Sequence, residues 1–585
     1  MSLLVTFIDG PTPVHERAAA HGRALAAAQG QGFQAPKRLE WPGGHALWFS
    51  TPGQPRSSGA CVQAGPRFAA LCGTAHWRGL AGEALLHRLL KDFARPQDMP
   101  LRDLSGGFAL LFSQGDEVWL FNDAVGLQKI YTAPEQGVSS TSWLVCRAAL
   151  PRARIHRLRA QEYVLLGSTH ATQTAMEGVL AQDPSWALEL RSNRTLVLHD
   201  PAAWRSPARF QSEAEATLAL SDQIAAEFSG MTQAFGQPVG MALSGGFDSR
   251  LLLAALQHQG VAPRLYVYGS DSLDDVRVAR VKAQELGIAI ECIDKAHVNA
   301  RLPALDRAQL KANLAFFDGL PVDGIFDRGA DRQTRLQQMS AGTLNLNGGG
   351  GEILRNFFYL PDRHYSAADL VSTFYSNWLP SAIADADERK AFQEATADGI
   401  LHELGLQMGS TQARQQALLR SDVELVYTLF RLRWWMARNN TVATRHGSFM
   451  TPLVQPRLVE LAAQVPVAWK TYGQMEAAII TRLSPAVATG PSNYGFDFSQ
   501  GPGVAHQRGV NATLWRPIAV RRASARLRRL LGRNPTVAAP AEWLGAQPVI
   551  QVDWLDTRYL TSSAQWSRLL TLLAATDDSL VHAAA

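Results

Sequence analysis

The clearest chemical signal in the chain is one hexapeptide, formed by Ser244, Gly245, Gly246, Phe247, Asp248 and Ser249. It stands between an apolar stretch (238–243) and a helical pattern (250–260). Paired glycines let the backbone approach a phosphate closely, and amides at a helix N-terminus attract anions. The two serine hydroxyls add donors. The pattern favours a phosphate-binding loop over a serine-glycine turn that only caps a helix.

Asp248 indicates the metal that such a loop requires. A carboxylate beside a phosphate is repelled unless a cation lies between them, and hard oxygen ligands suit Mg²⁺. Asp248 is therefore predicted to bind Mg²⁺ and to be catalytic. The chain contains no GxxxxGK[ST] sequence, which excludes a Walker-type kinase or ATPase loop. The hexapeptide is interpreted as the pyrophosphate site of another class of ATP-using enzyme.

A second glycine-rich segment, LNLNGGGGEILRNFF (344–358), follows later in the chain. Its first residues predict a strand, so the glycines stand at a strand end. Ligands collect at the carboxyl ends of parallel strands, although a run of glycines also suits a flexible turn. On the first interpretation Gly348 and Gly349 contact the nucleotide, and Glu352 is a second catalytic carboxylate and metal ligand.

The elements around both motifs alternate between strand and helix. The patterns run in the order strand 238–243, helix 250–260, strand 264–268, helix 274–287, strand 288–294 and strand 343–347. This alternation predicts right-handed crossovers and a parallel sheet. Residues 365–440 have an almost entirely helical pattern, in which Trp434 and Trp435 are expected to pack in a core. Residues 206–585 are thus expected to form an α/β domain with a parallel sheet and a helical C-terminal part.

The first 150 residues have a different pattern, of short strands separated by turns. The strand patterns are LVTFI near the start, 45–50, 67–73, 106–123 with a hairpin turn at 114–116, and 138–146. One amphipathic helical pattern covers 82–94. The expectation is an α+β domain over residues 1–205, whose last part is a mixed connector.

Composition narrows the functional class. The chain has 585 residues, of which 46% are hydrophobic and 18% charged, as in ordinary globular proteins. A net charge of +5 does not by itself argue for nucleic acid. The cysteines are too scattered for a disulfide framework or a CxxC metal site, and no apolar run reaches the ~18 residues of a membrane span. The first residues also lack a signal-peptide pattern, so we expect a cytoplasmic protein without membrane or nucleic-acid partners.

The hexapeptide SGGFDS resembles the pyrophosphate loop of the N-type ATP pyrophosphatases, in particular the asparagine synthetase group. Those enzymes carry a glycine-rich loop that ends in Asp-Glu; here Gly351 stands at the Asp position and Glu352 matches the Glu. Further segments resemble lasso peptide cyclases, the macrolactam synthetases of ribosomal peptide biosynthesis. These segments are GGGGEILRNFFYLP, DGLPVDGIFDRG (318–329) and PSNYGFDF (491–498), with RLRWWMARNN and TPLVQPRLVELA (431–462) resembling late synthetase-domain helices.

The resemblance covers nearly the whole chain and implies an ATP- and Mg²⁺-dependent, AMP-forming ligase. Such an enzyme adenylates an Asp or Glu side chain of a leader-processed precursor peptide, and the peptide's own N-terminal amine then closes the ring. The leader peptidase of the same pathway is the implied protein partner. Lys470 is the implied catalytic lysine. The implied nucleotide-binding positions are Leu243, Ser244, Gly245, Gly246, Asp248, Ser249, Val267, Gly348 and Gly349.

Other functions stay open at this point. An ammonia-dependent asparagine synthetase, or another amide-forming synthetase, would use the same ATP chemistry. A nucleic-acid-modifying enzyme would suit the basic run 516–533, although no CxxC pair accompanies it. An inactive scaffold is disfavoured because Asp248 is retained.

The segment NDAVGLQKIY (122–131) resembles the strand-turn of class II glutamine amidotransferase domains. Those domains use an N-terminal cysteine whose own α-amine acts as the base. Here Met1 is followed by Ser2, and the nearest cysteine is Cys61. The expectation is a degenerate domain that releases no ammonia from glutamine.

Several later residues have both a chemical and a structural interpretation. Arg438 and Arg445 are alternative cations to Lys470, and Glu424 is either a base or a solvated helix position. The acids Asp318 and Asp323 either help to hold metal or substrate, or cap turns. Two segments complete the set: the substrate-covering loop predicted at 491–498, and the basic run 521–529, which suits an acidic peptide, RNA or a solvated face.

Overall fold

The structure is a computed structural model that describes residues 2–9, 12–50, 59–207, 209–236, 238–303, 305–319, 327–339, 342–521, 523–524 and 552–577. Within these ranges an antiparallel two-sheet unit precedes a parallel sheet and a helical C-terminal part. The expected mixed α/β architecture is therefore confirmed at this level. None of the helices in the described ranges has the length and apolarity needed to cross a membrane.

The N-terminal unit is built from two antiparallel sheets, with strand orders β11-β9-β10-β1-β3-β2 and β13-β12-β8-β7-β5-β4, and with β6 paired to β5. The strands are β1 (Ser2–Ile8), β2 (Lys37–Trp41), β3 (Gly44–Ser50), β4 (Ala60–Ala64), β5 (Arg67–Trp77), β6 (Leu80–Ala81), β7 (Ser105–Gln114), β8 (Glu117–Asn122), β9 (Tyr131–Ala133), β10 (Val138–Ser140), β11 (Leu180–Ala181), β12 (Trp186–Glu189) and β13 (Arg194–Val197). Its helices are α1 (Val14–Gly30), α2 (Gly82–Asp92), α3 (Trp143–Ala149) and α4 (Arg157–Leu166).

This unit has four layers. Strand β1 is buried along its whole length because helices cover one face of its sheet and the second sheet covers the other. Its alternating side chains divide accordingly: Leu3, Val5 and Phe7 pack with α1, whereas Leu4 and Ile8 pack between the sheets. Helix α2 covers the outer face of the second sheet.

The strand predicted over 138–146 is wrong beyond its first three residues. Strand β10 ends at Ser140, and helix α3 begins at Trp143. The hydroxyl of Ser142 accepts a hydrogen bond from the Val145 amide at 3.3 Å and caps the helix. The cap and the packing of α3 override the β propensity of the apolar residues.

The parallel sheet has the order β16-β15-β14-β17-β18. Its strands are β14 (Val239–Ala242), β15 (Arg264–Tyr268), β16 (Ile290–Ile293), β17 (Leu344–Leu346) and β18 (Phe449–Met450). The chain runs outward from β14 through β15 to β16, and then returns to place β17 on the other side of β14. This reversal is a topological switch point, where a crevice opens at the carboxyl ends of the strands.

Helices surround this sheet and form most of the C-terminal part. They are α5 (Glu213–Phe235), α6 (Phe247–His258), α7 (Asp274–Glu285), α8 (Lys295–Arg301), α9 (Arg307–Phe316), α10 (Ala330–Met339), α11 (Ala367–Phe374), α12 (Ala386–Glu403), α13 (Thr411–Gln415), α14 (Arg420–Leu425), α15 (Arg433–Thr444), α16 (Pro456–Ala463), α17 (Val467–Lys470), α18 (Gln474–Leu483), α19 (Pro485–Ala488), α20 (Val504–Leu514) and α21 (Ser563–Thr576). A π-helical stretch, Val426–Leu432, joins α14 to α15. Trp434 is buried as expected, but Trp435 is 44% exposed, so its predicted core position is wrong.

The two parts of the chain pack on each other. Apolar residues of α4 share one core with α12 and with α21 near the C-terminal end. The buried Glu227 of α5 accepts a hydrogen bond from Ser105 of β7 at 2.7 Å and lies 2.9 Å from His76 of β5. The domain boundary near residue 205 stays a prediction.

Candidate active site

The two glycine-rich motifs lie side by side at the switch point. The hexapeptide loop follows β14, and the glycines 348–351 follow the neighbouring strand β17. A Cβ atom added to Gly348 would stand 3.3 Å from the carbonyl carbon of Asp248, so the two loops touch. A Cβ atom added to Gly349 would overlap the methyl carbon at the end of the Met436 side chain of α15. The structure thus brings together the two segments that the sequence separates by about a hundred residues.

The serine hydroxyls organise the loop itself. The Ser244 amide donates to the Ser249 hydroxyl at 3.0 Å, and the Gly246 amide donates to the Ser244 hydroxyl at 3.2 Å. Helix α6 then begins at Phe247, with Gly246 as its side-chain-free cap. The first-turn amides of α6 therefore stay available for an anion at the positive end of the helix dipole.

A carboxylate already lies on this loop. The Gly245 amide donates to Asp275 Oδ1 at 3.1 Å, and the side-chain amide of Asn493 donates to the same oxygen. The Asn493 backbone amide in turn donates to the Gly245 carbonyl at 3.1 Å. An anionic oxygen thus stands against a loop amide, which is the chemistry expected of a phosphate site.

Asp248, Glu352 and Glu476 form a carboxylate cluster around Arg355. Arg355 Nη2 donates to both Asp248 oxygens, at 2.7 and 2.9 Å. Its Nε atom lies 3.0 Å from Glu476 Oε2, and Nη2 lies 3.7 Å from Glu352 Oε1. One guanidinium therefore faces three acids, which leaves the cluster short of positive charge.

Glu476 occupies the space that Gly351 leaves free. A Cβ atom at Gly351 would overlap Asp248 Oδ1 and come within 2.9 Å of Glu476 Oε1. An aspartate at position 351 would therefore collide with the cluster. In the sequence, Gly351 stands where the resembled motif has an aspartate. In the structure, the Glu476 carboxylate of α18 lies at this point instead. No pattern around Glu476 could have indicated this.

The pKa values of Asp248 and Glu476 are strongly raised. Burial raises the pKa of Asp248 to about 6, and the charge of Glu352 adds to this rise while Arg355 opposes it. Burial also raises the pKa of Glu476 well above its usual value, since its side chain is fully enclosed. Neither Glu476 oxygen has an aligned hydrogen-bond donor among the described residues. Burial therefore disfavours the ionised form of Glu476.

Two of the three carboxylates in the cluster, those of Asp248 and Glu352, suit Mg²⁺. Among the residues that the structure describes, no group of three or more His, Cys, Asp or Glu side chains is arranged to hold a metal ion. Mg²⁺ is usually held by one or two carboxylates together with phosphate oxygens, which Asp248 and Glu352 fit. Tyr427 Oη and the Gly350 amide donate to Glu352 Oε2, at 2.6 and 3.1 Å. These bonds orient the carboxylate with Oε1 on the side of Arg355.

Lys470 lies beside this cluster. It ends α17 and lines a small cavity together with Arg355 and Tyr494. Its side chain is buried, and burial lowers its pKa to about 8 although Glu424 opposes the shift. Glu424 is buried as well and accepts a hydrogen bond from Arg420 at 2.6 Å, so the solvated-face alternative for Glu424 is wrong.

The segment 491–498 covers the hexapeptide loop (244–249) and has both buried and exposed residues. Phe498 stacks on Phe247 at 4.3 Å between ring centroids, and Phe496 is buried beside them. Tyr494 accepts a hydrogen bond from Arg355 Nη1 at 3.2 Å. The phenylalanines are thus core residues, whereas Tyr494 and Asn493 are the side chains that reach the cleft.

The remaining predicted nucleotide positions are hydrophobic. Leu243 and Val267 lie at the carboxyl ends of β14 and β15, where their side chains belong to the domain core. The Leu243 amide donates to the Tyr266 carbonyl at 2.8 Å. Any contact of these two residues with a nucleotide would involve their strand ends.

Other candidate residues have structural positions. Asp318 accepts hydrogen bonds from Ser142 and from the Trp143 amide, so it caps α3. Arg445 lies 3.6 Å from Asp318, and Arg438 donates to a backbone carbonyl of the N-terminal unit. Asp323 and residues 522 and 525–529 of the basic run lie outside the described residues.

The N-terminal unit holds its thiols in unreactive surroundings. Burial raises the pKa of Cys61 to about 11 and that of Cys72 to about 12, and it raises that of Cys146 as well. The Ser2 hydroxyl is buried and accepts a hydrogen bond from the Gly73 amide at 3.2 Å. A cysteine nucleophile needs a thiolate, which none of these three thiols forms near neutral pH.

No protein-family model matches this chain, and no curated protein matches it. The functional assignment therefore depends on the motifs and on the geometry of the cleft.

Proposed function

We propose that this chain is an ATP-dependent, AMP-forming amide ligase that closes a macrolactam in a ribosomal peptide, like the lasso peptide cyclases that its sequence resembles. The observation that carries the proposal is the contact between the hexapeptide loop and the carboxylate cluster at the switch point of a parallel sheet. ATP is the proposed co-substrate, with its phosphates on residues 244–249. The degenerate amidotransferase-like identity of the N-terminal unit belongs to the same proposal.

The proposed reaction has two balanced steps. An oxygen of the peptide's Asp or Glu side chain attacks the α-phosphorus of ATP, which forms an acyl adenylate and releases pyrophosphate. The peptide's N-terminal amine then attacks the acyl carbon, and AMP and a proton leave as the amide forms. The first step is needed because a carboxylate is a poor electrophile, and the second gains from holding both ends of one chain together.

The chain's own residues have distinct parts in this scheme. The amides at the start of α6 and of Gly245 would receive phosphate oxygens, in place of the Asp275 carboxylate. Asp248 and Glu352 would hold Mg²⁺, whose charge offsets that of the phosphates. Lys470, with a pKa of about 8, can carry or release a proton at Nζ near neutral pH, as an acid–base group at this position requires.

The attacking amine belongs to the substrate, so no ammonia is required. This agrees with the buried thiols of the N-terminal unit, whose proposed role is to pack against the ligase part and shape its cleft. The precursor peptide is the proposed substrate and the leader peptidase the proposed protein partner. An ammonia-dependent synthetase would instead need a source of ammonia.

The test supplies purified protein with ATP, Mg²⁺ and a synthetic leader-free peptide that has a free N-terminal amine and an internal Asp or Glu. The expected products are AMP, pyrophosphate and a peptide that has lost one water, without glutamine or ammonia. Parallel reactions contain free aspartate with ammonium, or glutamine alone. Amide formation only with ammonium would favour the synthetase alternative, and glutamate release from glutamine would overturn the inactive N-terminal unit.

A further inference from the structure

A small, largely enclosed cavity lies between the N-terminal unit and helix α15. It has room for one small particle, whose centre can move within about 20 Å³. Lys129, Tyr163 and Thr174 line it from the N-terminal unit, and Trp434 and Arg438 line it from α15. All of these side chains are more than nine-tenths buried.

The lining carries positive charge without a partner acid. Lys129 Nζ stands 3.8 Å from the centre of the Trp434 ring, and no ion pair joins Lys129 or Arg438 to a carboxylate of the described residues. The nearby acids are engaged elsewhere. Glu162 pairs with His170 and Arg159, and Glu403 pairs with Arg433. Asp123 and Asp183, whose charges also act on Lys129, accept hydrogen bonds from backbone amides and from Ser185.

Several donors in this cavity are unsatisfied. Arg438 Nη2 donates to the Gly167 carbonyl, but Arg438 Nε and Nη1 have no hydrogen-bond partner within the described ranges. The Tyr163 hydroxyl lies beside the Arg438 guanidinium but has no well-aligned hydrogen-bond partner among the described residues either. Buried cations and donors without partners are costly in a low-dielectric interior. A neutral water would accept hydrogen bonds but would leave both charges unbalanced.

We propose that this cavity binds one small monatomic anion of the halide class, with chloride as the physiological ligand. Arg438 and Tyr163 donate to it, and Lys129 balances its charge. The anion joins the N-terminal unit to α15. The same helix touches the glycine-rich loop through Met436, so the bound anion also fixes the helix that backs the active site.

The direct test is diffraction from crystals of the full chain grown with bromide in place of chloride. The expected result is an anomalous peak among Lys129 Nζ, Arg438 Nη1 and Tyr163 Oη. Density that shows no anomalous signal at saturating bromide would mean a water only and would overturn the proposal.

The second test measures thermal unfolding in sodium chloride, bromide or gluconate at equal ionic strength. The melting temperature should rise saturably with either halide and not with gluconate, which is too large for the cavity. In Tyr163→Phe the half-saturating halide concentration should rise about tenfold, since a hydrogen bond to a charged partner is lost. Tyr375→Phe removes another buried, unpartnered hydroxyl that lies outside the cavity, and it should leave the halide response unchanged. Equal responses to all three salts, or equal effects of both variants, would contradict the anion site.

Discussion

The cleft at the switch point has an excess of negative charge, whereas the cavity between the N-terminal unit and α15 is lined by positive charge. In the cleft, three carboxylates face one guanidinium, and Asp248, Glu352 and Arg355 are each between 21% and 24% exposed. In the cavity, Lys129 and Arg438 are almost fully buried, and neither forms an ion pair with a carboxylate of the described residues. We propose that each region binds a ligand of the opposite charge. Solvent access also differs, because the side chains of Asp248, Glu352 and Arg355 are partly exposed whereas Lys129 and Arg438 are buried.

We expect the largest effect from removing a negative charge in the cleft. Asp248→Asn keeps the size of the side chain but removes its charge, so AMP formation should fall by about 10²–10³-fold, as for loss of a central electrostatic group. Because the raised pKa of Asp248 means that its ionised form is disfavoured in the fold, the melting temperature should stay equal or rise. Asp116→Asn changes a fully exposed acid and should alter neither quantity. Near-normal AMP formation by Asp248→Asn would remove this residue from the site.

The next effect concerns the space that Gly351 provides. Gly351→Ala should lower the free energy of unfolding by about 1–3 kcal/mol, because the added methyl group overlaps Asp248. Adding Glu476→Ala should recover part of that loss, which a double-mutant cycle measures. Gly22→Ala places a methyl group in open space on α1 and is the matched control. Strictly additive losses would show that Gly351 and Glu476 do not share this space.

The pH dependence of stability compares the two buried lysines. The pKa of Lys470 is about 8 in the fold and about 10.5 in the unfolded chain, so the unfolded state binds more protons between these values. Relative to Lys470→Met, the wild type should therefore gain stability as pH rises from 8 to 10.5, by at most about 3 kcal/mol. Urea unfolding across this range measures the gain. A flat difference would show that Lys470 is solvated.

The difference in stability between the wild type and Lys129→Met should also change in this direction with rising pH, and over a wider pH range. Its pKa is about 7 in the fold without an anion, so Lys129→Met should differ from the wild type increasingly from pH 7 upward. Saturating chloride should shrink that slope, because an anion favours the charged lysine. Chloride should leave the Lys470 slope unchanged, and an equal salt effect on both lysines would contradict the distinction between the two regions.

The smallest expected effect tests the covering segment. Tyr494→Phe removes one hydrogen bond to Arg355, which should cost about 1 kcal/mol or less in stability. Tyr494→Ala should raise the KM for peptide more than the KM for ATP, since the ring reaches the cleft whereas Phe498 stays in the core. Tyr365→Phe removes a hydroxyl that donates to the Pro361 carbonyl, and it serves as the control. Equal changes in both KM values would favour a purely structural Tyr494.

The local patterns of the sequence predict the parallel sheet well. The strand predicted over 264–268 matches the structure, and the helices predicted over 250–260 and 274–287 match it to within three residues at each end, because apolar periodicity and glycine ends act within each segment. The three-carboxylate geometry is not predictable in this way. Glu476 comes from a separate helix, and only the three-dimensional fit at Gly351 links it to Asp248.

Single polar residues far apart in the chain are equally hard to place. Lys129 and Arg438 have no pattern that connects them, and Arg438 is one of several candidate active-site cations on sequence grounds alone. Their shared cavity arises from packing between distant elements. The capped start of α3 shows the same limit at short range, since an apolar segment suits either a strand or a helix until Ser142 and Asp318 are in place.

The most direct test of the proposed adenylation follows the oxygen atoms of the substrate. The leader-free peptide is prepared with heavy oxygen in its Asp or Glu side-chain carboxylates and is incubated with the enzyme, ATP and Mg²⁺. The account predicts that each ring closure transfers one labelled oxygen to AMP, with unlabelled pyrophosphate as the co-product. Label in inorganic phosphate together with ADP, or ring closure without label in AMP, would contradict it.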